Sequence, residues 1–175
     1  LRSKMKFVSS FYVPLSWRNQ YCGVFEATYN GIKYYFLDNE YYFKREGNIY
    51  GFYDDAERFA FFSKAILEML QYIDFEPDVL HCNDWQTAMA PVYLNLFYRN
   101  VEKYKQLKTV FTIHNIQYQG KYGMELASDV LGLPSYANST MLYDGCLNMM
   151  KAAIEMSDAV NTVSPTYAKE ITDPW

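Results

Sequence analysis

Short apolar runs alternate with stretches of helical periodicity in the second half of the chain. The runs are short and rich in β-branched residues, which predicts strands at 79–82, 108–113 and 158–162. Apolar residues recur three or four positions apart in other stretches, which predicts helices at 53–72, 86–98 and 147–156. Strands that alternate with helices predict an α/β fold with a doubly wound, mostly parallel sheet and helices on both faces.

The first third of the chain has a different, β-rich pattern. Residues 4–17 alternate between apolar and polar and predict a strand. Two further β-rich runs, 22–29 and 32–37, are joined by Asn30–Gly31, and this dipeptide favours a hairpin turn because both of its residues tolerate positive φ. The polar and aromatic residues 38–51 predict a loop.

Polar residues follow each predicted strand of the second half. Asn83, Asp84 and Trp85 follow the first strand, which is predicted to be buried on both faces; His114 and Asn115 follow the second, and Ser164 follows the third. Neighbouring parallel strands bring their carboxyl ends to one edge of the sheet, where ligands bind in open α/β folds. We therefore expect the first two groups to lie close together at a binding site.

Each candidate side chain has a binding interpretation and a structural one. The Asp84 carboxylate can accept hydrogen bonds from two vicinal hydroxyls, or it can cap a helix that begins after it. The Trp85 indole can stack on a sugar ring or lie in the core. His114 can contact a ligand or carry a proton, whereas a structural hydrogen bond is the ordinary role of such a residue. For His81, inside the strand, the structural role is favoured.

Composition narrows the classes of function. The length of 175 residues argues for a single domain (1–175). The net charge of −4 argues against a nucleic-acid partner. No apolar run approaches the roughly 20 residues of a membrane span. Three cysteines without a paired motif indicate a reducing, cytoplasmic location, and the two histidines and scattered cysteines give no metal-site pattern. Neither GxxxxGK[ST], GxGxxG nor GxSxG occurs.

Three separated motifs in the same order resemble the bacterial glycogen synthases and plant starch synthases. They are DVLHCNDWQTAMAPVYL at 78–94, KTVFTIHNIQYQGKY at 108–122 and NMMKAAIEMSDAVNTVSPTYAKEIT at 148–172. The resemblance implies one Rossmann-like half of the two-domain GT-B fold. It implies transfer of glucose from ADP-glucose, or UDP-glucose, to the non-reducing 4-OH of an α-1,4-glucan, with retention of configuration and without a metal or other cofactor.

The same resemblance implies roles for individual residues. His114 is expected at the donor glucose and Asp84 on the acceptor side of the cleft; these two are the expected catalytic residues. Substrate-binding residues are expected at Trp85 and Tyr53 and along the loop that follows His114. The loop residues are Asn115, Tyr118, Gln119 and Gly120. Asn83 and Gln86 depart from the family pattern, in which histidine is common at both positions, so acceptor-side hydrogen bonding is expected to differ.

The resemblance also implies that residues 1–175 form an incomplete N-terminal domain. The family's first β-α unit, which meets the donor diphosphate, and its C-terminal domain have no counterpart in this sequence. The chain by itself is therefore expected to be inactive.

Three alternatives remain open at this stage. Another GT-B glucosyltransferase, such as a relative of sucrose synthase, would differ in the loop that follows His114. A non-catalytic glucan-binding module would need exposed aromatic residues in a row on one face. A glycosidase needs two carboxyl groups flanking the bond, and Asp84 has no evident partner at a neighbouring strand end.

Overall fold

The computed structural model describes residues 4–173, and its first part is a three-stranded antiparallel sheet. The strands are β1 (Lys6–Leu15), β2 (Arg18–Tyr29) and β3 (Ile32–Asp38). Between β2 and β3, Asn30 and Gly31 have φ angles of 50° and 78°, and Tyr29 pairs with Ile32. Both turn residues thus adopt the positive φ that a two-residue hairpin connection requires. Residues 1–3 and 174–175, the ends of the predicted domain, lie outside the described residues.

The rest of the described chain alternates between short strands and helices. The strands are β4 (Val79–Asn83), β5 (Lys108–Ile113), β6 (Lys121–Tyr122), β7 (Leu142–Tyr143), β8 (Cys146–Asn148) and β9 (Ala159–Thr162). The helices are α1 (Glu40–Phe43), α2 (Asp55–Met69), α3 (Met89–Tyr93), α4 (Leu126–Asp129), α5 (Asn138–Met141), α6 (Met149–Met156) and α7 (Pro165–Glu170). The chain is therefore an α/β protein, as the sequence predicts.

A parallel sheet of order β4-β5-β9 holds the strand ends that carry the candidate site. In this sheet Asn83 pairs with Thr112, and Thr112 pairs with Asn161. Cys82 and Phe111 belong to the same buried core as the apolar faces of α2, α3 and α6. Burial raises the pKa of the Cys82 thiol to about 12, with Thr87 lowering it slightly, so this thiol stays protonated and packs as a small apolar group. A third sheet, β6-β8-β7, is antiparallel.

Strand β4 is not buried on both faces by the described residues 4–173, so that prediction is wrong. Side chains alternate along a strand, and only the face that carries Cys82 is buried. On the other face, Val79 is 50% exposed, and His81 and Asn83 are also exposed. No element of the described chain covers this face of β4, so the expected second helical layer is not seen there.

Two helix boundaries also differ from the sequence prediction. Residues 38–51, predicted as a loop, contain α1, whose N-cap Asn39 accepts a hydrogen bond from the Tyr42 amide at 2.8 Å. Leu147 and Asn148, predicted to begin a helix, belong to β8, and the Asn148 side chain caps α6 by accepting from Lys151 N. In both caps an asparagine side chain accepts from the amide three residues later, which fixes the first residue of the helix.

The predicted helix 86–98 is divided into three pieces. A 3₁₀ turn at Trp85–Thr87 precedes α3, and a π-helical turn at Leu94–Tyr98 follows it. The Asn95 side chain donates to the carbonyl of Pro91 and to that of Met156, both at 2.8 Å. A side chain that occupies a helix carbonyl in this way displaces the regular i→i−4 bond and widens the helix.

Asp158 joins the start of β9 to β5. Its carboxylate accepts from the Thr109 amide at 2.8 Å, from the Thr109 hydroxyl at 2.9 Å and from Lys108 Nζ at 3.1 Å. Burial would by itself raise the pKa of Asp158, but these hydrogen bonds and the Lys108 charge hold it below its ordinary value. The carboxylate therefore stabilises the fold above the ordinary aspartate pKa, and this contribution is lost as the pH falls through the lowered pKa.

Replacing Asp158 by asparagine should lower the free energy of unfolding at neutral pH and flatten its decline under acid. The physical reason is that the ionised carboxylate gains more from the Thr109 and Lys108 donors than a neutral amide does. Urea unfolding of both proteins between pH 7 and pH 2 measures this. Lys108→Gln is the control and should retain most of the acid dependence, because both Thr109 bonds remain. Parallel acid limbs for the wild type and Asp158→Asn would contradict the assignment.

Candidate functional site

The carboxyl ends of β4 and β5 meet, as the sequence predicts for neighbouring parallel strands. The Asp84 amide donates to the Thr112 carbonyl at 3.0 Å, which extends the sheet pairing by one residue. One residue beyond this pairing, the Asp84 carboxylate and the His114 backbone are in direct contact. The site is therefore built on two rigid strands, with the loop after His114 as its rim.

The Asp84 carboxylate holds the end of β5. Its Oδ1 accepts from the His114 amide at 2.8 Å and, at 3.4 Å, from the Asn115 amide. The Asp84 side chain makes no hydrogen bond as a helix cap. The Thr87 hydroxyl instead binds the end of β4: it accepts from Asn83 N at 2.6 Å and donates to Asn83 O at 2.8 Å. The sequence prediction did not include Thr87. A threonine four residues after a strand end was the available signal.

The backbone of Asp84 is strained. Its φ is 56° and its ψ is −178°, a conformation close to a region that glycine alone adopts readily and that costs about 1–3 kcal/mol for other residues. Such strain persists only where surrounding contacts impose it, and here the two amides on the carboxylate and the Thr112 carbonyl do so. Backbone outliers of this kind cluster at functional sites, which supports a binding role for this strand end.

The His114 ring is exposed and contacts the end of β4. Its Nε2 lies 3.0 Å from the Oδ1 of Asn83, one of the two positions that depart from the family pattern. An amide oxygen only accepts, so Nε2 is the donor in this contact, and Nδ1 is directed away from Asn83. His81 has the structural role expected for it. Its Nε2 lies 2.6 Å from the Thr112 hydroxyl oxygen. The same hydroxyl donates to Asn161 Oδ1 at 2.5 Å, so the contact links the three strands of the sheet.

The loop after His114 is ordered mainly by its own side chains. Asn115 Oδ1 accepts from Gln117 N at 3.0 Å. Gln119 donates to the Ile116 carbonyl at 2.8 Å, and its Oε1 accepts from Asn148 at 2.7 Å. Tyr118 is exposed. The side-chain amides of Asn115 and Gln119 thus form hydrogen bonds that shape the loop. The exposed Tyr118 ring can contact a ligand.

Helix α7 supports this loop from the third strand end. The Ser164 side chain caps α7, since its hydroxyl accepts from Tyr167 N at 3.1 Å. The Tyr167 hydroxyl in turn accepts from the Ile116 amide at 2.9 Å. The sequence analysis did not single out Tyr167, because its contact crosses 51 residues of sequence.

The Trp85 indole lies in the core, which is the structural one of its two interpretations. It is 7% exposed, and its ring centroid lies 5.0 Å from that of Phe59 and 6.2 Å from that of Tyr122. In this conformation neither ring face is open to a sugar. The indole instead forms the floor under Gly120, where an added Cβ would lie 2.9 Å from Trp85 Cε3.

Tyr53 lies apart from the two strand ends, just before α2. Its side chain is 94% exposed, the most of any large hydrophobic residue in the described chain. Helix α2 connects it to the site, because Phe59 on that helix contacts Trp85.

An open cleft of about 1030 Å³ adjoins the strand ends. Its walls come from the loop after His114, from β6 and β7 and from α7; among the lining residues are His114, Asn115, Gln117, Gln119, Lys121, Tyr143, Tyr167 and Glu170. Amides, a phenol and charges of both signs in one open cleft suit a polar, hydroxyl-rich ligand.

Residues 4–173 contain no group of three or more histidine, cysteine, aspartate or glutamate side chains placed to hold a metal ion. Within the same residues, no helix has the length and apolar character needed to cross a membrane.

Exchanging Gly120 for alanine should destabilise the protein by about 2–3 kcal/mol. The residue has a φ of +65°, and the new methyl would press on Trp85 and on Met149 Cβ at 3.1 Å. Gly145→Ala is the matched control: its φ is +73°, but no atom lies within 4 Å of the added Cβ, so it should lose only about 1 kcal/mol. Equal losses in chemical denaturation would show that the close approach to Trp85 imposes no constraint.

The strain at Asp84 predicts an unusual order of stability between two variants. Asp84→Ala and Asp84→Gly both lose the carboxylate, but only glycine relieves the backbone at φ 56°. Asp84→Gly should therefore be the more stable by about 1 kcal/mol or more. Urea midpoints of the two variants measure the difference, and an alanine variant at least as stable as the glycine variant would refute the strain.

Comparison with known proteins places these features in a family. The family model described as "Starch synthase catalytic domain" matches residues 1–175. The glycogen synthase of Desulfitobacterium hafniense is 51% identical over 175 residues, covering 98% of this chain and 37% of that protein. The glycogen synthase of Exiguobacterium sibiricum is 48% identical over 176 residues, covering 98% of this chain and 36% of that protein.

A solved structure also matches. The catalytic domain of starch synthase IV from Arabidopsis thaliana, bound to ADP and acarbose, superposes with a TM-score of 0.83 at 29% identity, covering 95% of this chain and 35% of that one. This chain thus spans little more than a third of the length of these relatives. The match along its whole length shows that the chain belongs to the starch synthase catalytic-domain family, together with the bacterial glycogen synthases.

Proposed function

We propose that the full-length protein transfers glucose from ADP-glucose to the non-reducing 4-OH of an α-1,4-glucan, with retention of configuration. The kinship with glycogen synthases supports the reaction class. The ADP and acarbose bound by the starch synthase IV domain support an adenine nucleotide-sugar donor and an oligosaccharide acceptor. The proposal includes a cytoplasmic enzyme without a metal cofactor.

The observation that carries the proposal is the contact between Asp84 and the end of β5. The carboxylate fixes the amides of His114 and Asn115 and so fixes the backbone from which the His114 ring projects. In glucosyl transfer, positive charge develops at the anomeric carbon as the diphosphate departs, and groups that are already in place stabilise this charge without reorganisation. A histidine held by two rigid strand ends meets this requirement.

The residues divide the proposed work between them. His114 contacts the donor glucose, and its Nδ1, which is not directed at Asn83, can form a hydrogen bond with a sugar hydroxyl. The second carboxylate oxygen of Asp84, with Tyr53 and Tyr118, contacts the acceptor. Asn115, Gln119 and Gly120 set the loop shape, and Trp85 supports the loop from beneath. We propose no sugar stacking for Trp85.

We also propose that residues 1–175 form one wall of the cleft. The relatives are nearly three times as long as the aligned segment, and the uncovered face of β4 is consistent with further packing against other parts of the full-length protein. The remaining wall would contribute the cationic groups that stabilise the departing diphosphate. The isolated chain should then show no transfer, and clear incorporation of glucose into glycogen by this chain would overturn the one-wall proposal.

In the full-length protein, His114→Ala should lower kcat by about 100-fold or more, since groups that stabilise the transition state typically contribute that much. The assay follows transfer of labelled glucose from ADP-glucose to glycogen, and circular dichroism checks the fold. The control is His81→Gln, which alters the other histidine of residues 1–175 and should leave kcat within about twofold, because the His81 ring bonds to the Thr112 hydroxyl inside the sheet. Near-normal turnover in His114→Ala would refute the role of His114.

A further inference from the structure

A fully buried arginine underlies the segment that carries Tyr53. Arg58, on the first turn of α2, is 2% exposed. Its Nε donates to the Tyr42 carbonyl at 2.8 Å, and its Nη2 donates to the Ile49 carbonyl at 3.1 Å. The third donor, Nη1, contacts Asp55 Oδ1 at 2.5 Å. One guanidinium thus joins the Tyr42 carbonyl, in α1, and the Ile49 carbonyl, in the loop that follows α1, to the start of α2.

The Asp55 carboxylate binds two adjacent amides of the same loop. Its Oδ2 accepts from the Gly51 amide at 2.5 Å and from the Phe52 amide at 3.1 Å. The Phe52 ring lies under the guanidinium, with its centroid 4.9 Å from the Arg58 Cζ. The ion pair thus makes four hydrogen bonds to the backbone of residues 42–52, two from Arg58 and two to Asp55.

Tyr53 is the next residue after this fastened segment, and its side chain is 94% exposed. The ion pair lies beside the floor of the candidate site. The Arg58 Cζ lies 5.3 Å from the Phe59 ring, which contacts Trp85. Burial and the charge of Asp55 raise the pKa of Tyr122, another neighbour of Trp85, to about 12.

We propose that Asp55 and Arg58 are positioning residues that hold the loop of residues 49–53 so that Tyr53 is presented to the acceptor glucan. This inference rests on the proposed function. A buried ion pair is not needed for stability alone, because well-packed apolar residues of similar volume often serve equally well. What apolar residues cannot do is fix three backbone groups of an otherwise irregular loop.

The first test measures the loop directly. Hydrogen–deuterium exchange of the full-length protein reports on the peptide covering residues 44–53 in the wild type, Arg58→Lys and Asp55→Asn. Lysine keeps the charge but cannot reach both carbonyls, and asparagine keeps the size but loses the charge, so both should speed exchange at Gly51 and Phe52 by about tenfold or more. Two variants guard against one of them failing to fold.

The second test asks whether the loop acts through Tyr53. Steady-state kinetics with maltooligosaccharide acceptors should show Arg58→Lys raising the acceptor KM roughly fivefold to tenfold, with kcat and the KM for ADP-glucose within about twofold. Tyr53→Ala should do the same. In the double variant the effects should not multiply, because Arg58 has nothing left to position once the tyrosine is gone.

Arg99→Lys is the matched control. Arg99 also clamps two carbonyls, those of Tyr104 at 3.1 Å and Leu107 at 2.6 Å, but it has no contact with the 49–53 loop. It should lower the melting temperature without changing the acceptor KM. A general effect of destabilisation would instead raise the acceptor KM in Arg99→Lys as well.

Three results would overturn the inference: unchanged exchange at Gly51 and Phe52 in both variants, faster exchange with an unchanged acceptor KM, or fully multiplicative effects of Arg58→Lys and Tyr53→Ala. These outcomes leave the proposed function standing, because it is tested separately by transfer in the wild type and by its loss in His114→Ala. Absence of transfer in the wild type would overturn the proposed function itself.

Discussion

The contact on which the site depends is the hydrogen bonding of one carboxylate to two amides of the neighbouring strand end. Asp84 Oδ1 binds the His114 and Asn115 N–H groups, and the Asp84 backbone accepts a φ of 56° to make this possible. Without the carboxylate, the end of β5 would leave two polar amides to find other partners. With it, two strand tips become one unit, and the residues that project from that unit are fixed relative to each other.

The site has a polar rim above a packed floor, and the two parts follow different physical rules. On the rim, exposed groups such as the His114 ring and Tyr118 remain free to exchange water for the hydroxyls of a ligand. In the floor, Trp85 and Gly120 are in such close contact that a single added methyl is not accommodated. Close packing of this kind transmits position accurately, so the floor determines where the rim residues lie.

The chain corresponds to little more than a third of its relatives, and its structure is consistent with that. One face of β4 is packed into the core and the other is exposed, although parallel sheets are ordinarily covered on both faces.

The cluster around Arg58 shows how irregular backbone in this chain is held in place. The buried ion pair fixes the loop before α2 by direct hydrogen bonds, where a helix or sheet would use its own backbone pairing.

The sequence by itself determined the periodic elements, the positive-φ turn at Asn30–Gly31 and the meeting of two polar strand ends, because alternation, turn chemistry and parallel pairing are local or follow from topology. Three motifs in the same order also indicated the family. Only the tertiary structure decided that Trp85 is core, that Asp84 binds amides instead of capping a helix, and that the helix after it changes from α to π geometry around Asn95. Those outcomes depend on partners such as Phe59, more than 20 residues away in sequence, and a local pattern cannot report which distant group will compete for a side chain.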